Sequence, residues 1–144
     1  MIKLMDAKVI EMLAPVAVTA TVTGTAVDTV QTGTKFDWAS IYVQAGVIST
    51  TVAIGGLKLQ ESDDNSTWVD VAGTSNVAAI TATTDNGKLY IYQLDVRKRR
   101  RYLRFSLAGT STGLLAAVTC VLSRAKEAPF TAATRGATGY EVIL

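Results

Sequence analysis

From Val16 to Leu122 apolar and polar positions alternate in short runs, and turn-forming residues separate the runs. Side chains on a strand point alternately to its two faces, so this period of two predicts half-buried β-strands. Val16 to Val22 alternates apolar with small or polar residues, and after Gly24 a second short strand fits Ala26 to Val30. Phe36 to Ala45 is stronger, with Trp38 on the Phe36 face and Ile41, Val43 and Ala45 opposite. Thr51 to Gln60 follows, interrupted by Gly55-Gly56, a pair that reads as a bulge or bend. Trp68 to Ala72 pairs back across a polar turn, and Val77 to Ala82 reads as strand or loop. Asp85-Asn86-Gly87 supplies the positive φ angles of a hairpin turn. Beyond it, Leu89 to Val96, Arg101 to Ala108 and Leu114 to Leu122 read as three further strands, the last buried on both faces. About eight short strands with no crossover helix predict an all-β antiparallel β-sandwich, jelly-roll-like or immunoglobulin-like.

The two ends break this pattern. In residues 1–14, Ile2, Met5, Val9, Met12 and Leu13 recur at roughly helical spacing, so the segment reads as an arm, helical or extended, that Pro15 closes. In residues 125–144, Pro129, Gly136 and Gly139 break regular structure, yet Phe130, Tyr140, Val142, Ile143 and Leu144 are apolar. Apolar side chains gain nothing by hanging in water, so this end is expected to dock on the body or on a neighbour. The expected division is an N-terminal arm 1–14, a sandwich 15–124 and a C-terminal arm 125–144. Ile2, Leu4, Met5, Phe130, Tyr140, Ile143 and Leu144 are the candidate anchors.

Composition narrows the chemistry. There is no histidine and one cysteine, which removes Ser–His and Cys–His nucleophile pairs and zinc sites built from Cys and His. Neither a phosphate-binding G-x-x-x-x-G-K-[ST] loop nor G-x-G-x-x-G occurs. The acidic residues Asp63, Asp64 and Asp85 lie where turns need them, so no catalytic residue, metal or cofactor is expected and the chain is read as no enzyme. Asp63-Asp64-Asn65 lacks calcium-loop spacing and reads as a solvated turn, as does the sequon Asn65-Ser66-Thr67. Cys120, inside an apolar run, reads as a small buried hydrophobe. No apolar run reaches the ~20 residues of a membrane helix, and Asp6, Lys8 and Glu11 interrupt any leader-like core. The expectation is a soluble protein made in the cytoplasm without a membrane partner. A hydrophobic fraction of 49% beside 18% charged residues suits a surface that a permanent partner covers.

Charge is uneven. Arg97-Lys98-Arg99-Arg100-Arg101 and Arg104 hold six of the fourteen basic residues, and without them the net charge of +2 becomes −4. Arg97, Lys98, Arg99 and Arg100 form a candidate interaction surface. The plainer reading is a charged connection between two strands. Phosphate contacts are the sharper one, with Tyr90, Tyr92 and Tyr102 as stacking partners, and pairing with an acidic protein surface is a third. The connection reading is favoured over nucleic acid.

Two motifs carry a resemblance. Gln60-Glu61-Ser62-Asp63-Asp64-Asn65-Ser66-Thr67-Trp68 is similar to the Q-x-S-D-D-x-x-x-W hairpin of the capsid cement or decoration proteins of tailed bacteriophages, small β-sandwich virion proteins. Arg101-Tyr102-Leu103-Arg104 looks like the R-Y-x-R strand that follows in such proteins, and Leu114 to Arg124 leading to Pro129 keeps the same order. The resemblance spans roughly residues 57–129, with Asn65 where a glycine is common. It implies a structural protein of the virion, synthesised in the host bacterial cytoplasm. Such a protein binds the outside of the capsid, often as a homo-oligomer (dimer or trimer), and bridges major capsid protein subunits. A tail, neck or head-fibre component is the alternative within the particle. A carbohydrate- or nucleic-acid-binding module is the alternative of another class.

Overall fold

Runs rich in valine, isoleucine and threonine become strands because their branched side chains fit a pleated, half-buried surface. The computed structural model describes residues 7–31, 34–49, 51–53, 55–76, 78–108 and 114–125. Among them are ten strands and no helix: β1 (Lys8–Val18), β2 (Val22–Thr23), β3 (Val27–Asp28), β4 (Val30–Gln31), β5 (Thr34–Ile48), β6 (Leu57–Ser62), β7 (Val69–Asp70), β8 (Leu89–Asp95), β9 (Tyr102–Leu107) and β10 (Leu114–Ala125).

They form two antiparallel sheets, the β-sandwich that the alternation predicts. The front sheet runs β1-β10-β5, with β8 along the other side of β5 and β4 as a short hairpin at its start. The back sheet runs β9-β6-β7, with β2 and β3 both against β9. Ile41, Val43, Val118, Cys120 and Leu122 of the front sheet and Leu57, Leu59, Leu103, Phe105 and Leu107 of the back sheet fill the space between them, fully buried. Burial pushes the Cys120 thiol up to about 12, so it stays protonated and packs as a hydrophobe.

Residues 8–14 are strand rather than helix, and β1 continues through Pro15 to Val18. The expected strand Val16–Val22 therefore begins eight residues earlier and ends sooner. Two register shifts explain why the sequence hides it: one between Glu11 and Leu13, one between Leu13 and Val16. Each inserts residues into the ladder and shifts which side chains face the core. Met12, left out of the ladder, is buried, and its carbonyl accepts the Thr25 N–H at 2.7 Å, tying the front sheet to the start of the back one. Gly24 fits there because a Cβ would lie 2.9 Å from that same carbonyl oxygen.

Thr51 to Ala53 is not a strand; Val52 forms a single bridge to Ile80, and Gly55 turns with φ +78°. Asn76 anchors the long connection from β7 to β8. Its amide donates to the carbonyls of Ala53 (3.1 Å) and Ala78 (2.7 Å), and its oxygen accepts the Leu57 N–H at 2.9 Å.

Candidate interaction surfaces

The β6–β7 hairpin is closed by one carboxylate. Asp64 accepts the backbone N–H of Ser66 (2.9 Å) and Thr67 (2.7 Å) and the hydroxyls of Ser62 (2.8 Å) and Thr67 (3.0 Å). Those donors, the Thr67 N–H foremost, hold its pKa well below the usual carboxylate range. Asn65 takes the left-handed turn position, φ 58°. With four donors of the turn on its carboxylate, Asp64 closes the hairpin.

Beside this hairpin lies the basic connection from β8 to β9. Arg97 binds Asp95 through its guanidinium and its backbone N–H, and this holds the Asp95 carboxyl low while Lys98 adds a smaller charge effect. Arg99 meets Glu61 at 3.7 Å, Arg100 meets Asp63 at 3.4 Å, and Arg101 grips Asp28 through two bonds of 2.8 and 3.0 Å. Arg104 donates to Gln60 at 2.8 Å and stacks over Trp68, 4.2 Å from the ring centre. The arginines of the run thus fasten the connection to β3, to β6 and to the hairpin turn, and four carboxylates meet their charge locally. Exposed pairs of this kind contribute little stability, so their main effect is to set the shape of this end. The sequence concealed the arrangement because the partner acids Asp28, Glu61 and Asp63 lie far away along the chain.

The outward face of the front sheet is the opposite in character. Across the ladder lie Val9 and Glu11 of β1, Ala117, Thr119 and Val121 of β10, Trp38, Ser40, Tyr42 and Gln44 of β5, and Leu89, Ile91, Gln93 and Asp95 of β8. Only Glu11 and Asp95 among these are charged, and Asp95 is already bound to Arg97. Trp38 Nε1–H (2.7 Å) and the Ser40 hydroxyl (2.9 Å) both donate to Gln93 Oε1, which fixes the indole on this face. Leu89 and Ile91 stand about half exposed, at 48% and 52%.

A cavity of about 510 Å³ opens between the β8 margin and the connection leading from β7, lined by Leu57, Asn76, Ile80, Asp85, Tyr90 and Tyr92 among others. Its polar groups serve the fold: Asn76 as above, and Asp85 by accepting the Thr81 N–H and binding Lys88. Burial pushes the Tyr92 phenol up to about 12.

Of the sequence candidates, Arg97, Lys98, Arg99 and Arg100 come together on the β8–β9 connection. Ile2, Leu4, Met5, Phe130, Tyr140, Ile143 and Leu144 lie outside the described residues. The outward face of the front sheet went unmarked in the sequence, although the alternating polar and aromatic positions of Trp38, Ser40, Tyr42 and Gln44 carried the signal.

No family model and no curated protein matches the sequence. Among solved structures, the crystal structure of PBSX exported protein XepA is similar over 96% of this chain, with a TM-score of 0.55 and 16% identity. The chain spans 43% of XepA, less than half its length, and the likeness is one of fold.

Proposed function

We propose that this protein is a structural component of a tailed-phage particle that binds the outside of the capsid and stabilises contacts between major capsid protein subunits. One observation carries the reading: a broad sheet face on which, among the described residues, a single charge has no partner, and which displays Trp38, Tyr42, Val121 and Ile91. Such a face loses little by desolvation when a flat protein surface covers it. The signature hairpin and the basic connection are consistent with this role, since both are built as rigid scaffold. The fold shared with PBSX exported protein XepA supports the sandwich architecture that this reading needs. The apolar residues of segments 1–6 and 126–144 would add anchors to the contact.

The test is co-sedimentation with purified shells lacking the protein. Tyr42→Glu and Thr119→Glu, which place charges at the middle of the face, are expected to weaken binding about tenfold or more with the fold intact. Removal of 126–144 is expected to leave a folded body that binds shells less well. Undiminished binding by all three folded variants would contradict the reading.

A further inference from the structure

The margins of the two sheets are treated differently. In the back sheet the outer strands β2, β3 and β7 are two residues each. In the front sheet β1 carries Pro15 and two register shifts. Shortness, proline and bulges all keep a sheet edge from templating another strand. The remaining margin, β8, has none of them. It runs seven residues in unbroken register against β5, and Leu89 to Leu94 contains no charge.

The register shows which backbone groups are left over. The Ala45 N–H donates to the Lys88 carbonyl at 2.9 Å, and the Val96 N–H to the Asp37 carbonyl at 2.9 Å. In an antiparallel ladder such bonded pairs recur every second residue, so Lys88, Tyr90, Tyr92, Leu94 and Val96 turn their N–H and C=O toward β5. Leu89, Ile91, Gln93 and Asp95 therefore turn theirs away. None of these outward groups bonds to any other described residue.

We infer that β8 pairs antiparallel with β8 of a second copy of this chain, about a two-fold axis at Tyr92, and joins two front sheets into one. A second copy fits because the edge is complementary to itself. About this axis Leu89 faces Asp95 and Ile91 faces Gln93 of the other copy, so all outward groups of both strands find partners. Lys88 at one end of the strand faces Val96 of its counterpart, between Asp95 and Arg97, and both Lys88 and Arg97 already hold carboxylates of their own chain, Asp85 and Asp95. On the inner side Tyr92 meets Tyr92 and Tyr90 meets Leu94, closing the mouth of the cavity. An isologous contact of this kind closes after two copies and leaves no free β8 edge.

Sedimentation equilibrium of the full chain, run without any particle from micromolar to submillimolar concentration, tests the pairing. The unmodified protein is expected to sediment at twice the mass of one chain. Ile91→Pro removes an outward N–H while sparing every bond to β5, and Ile91→Lys keeps the backbone but sets two like charges near the axis. Each is expected to weaken self-association at least tenfold with an unchanged far-ultraviolet circular dichroism spectrum. If the proline variant fails to fold, the lysine variant decides. A monomer at every concentration, a trimer, or a dimer that the folded variants leave unmoved would overturn the inference. Failure here leaves shell binding standing as a separate question, because no shell is present in the measurement.

Discussion

Asp64 is exposed to solvent, yet it organises the β6–β7 turn through four accepted hydrogen bonds. Its carboxyl is held low in the folded protein, so the folded state favours the ionised form relative to the unfolded chain. That stabilisation is complete above the ordinary carboxylate value of 3.8 and is lost as pH falls below it toward the lowered folded value. Asp64→Asn should therefore melt below the unmodified protein at neutral pH, and the two melting temperatures should converge as pH drops below about 4. Gly24 offers a second test at this scale. A Cβ there meets the Met12 carbonyl at 2.9 Å, and both groups belong to backbone that joins the sheets. Gly24→Ala is expected to cost about 1–3 kcal/mol in urea denaturation, since overpacking forces a backbone shift.

At the scale of elements, regularity decided what the sequence revealed. β9 was legible because Leu103, Phe105 and Leu107 alternate without interruption and all three are fully buried. Phe105→Ala should cost about 3–5 kcal/mol, read from the shift in denaturation midpoint at constant slope. β1 was obscured for the complementary reason. Its register shifts space Ile10, Met12, Leu13 and Val18 unevenly along the core side, and Val9, Met12 and Leu13 imitate helical spacing. The basic connection was legible as a connection but not as a neutralised one, because pairing with Asp28, Glu61 and Asp63 is a tertiary fact. Its chemistry leads to a prediction: fluorescence anisotropy with single-stranded DNA should show no salt-dependent binding. A slope approaching one logarithmic unit per phosphate contact would show that these arginines exchange their carboxylates for phosphate.

The described residues form a sandwich with three distinct surfaces. One end is fastened by arginine–carboxylate pairs, the front sheet shows a nearly uncharged face, and one margin of that sheet is left open. Alternation in the sequence revealed the sandwich, since it follows from strand geometry alone. The run Trp38 to Gln44 carried one strand of the face, but the extent of the face and the open margin were not legible, because which strands neighbour one another is set by the topology β1-β10-β5-β8. A covering role on a shell is a claim about stoichiometry. Quantitative mass spectrometry of purified particles, calibrated against the major shell protein, measures it most directly. A copy number equal to that of the shell subunit, or to a simple fraction of it, is expected. A handful of copies per particle would move the protein to a tail or neck, and its absence from particles would rule out a role in the virion.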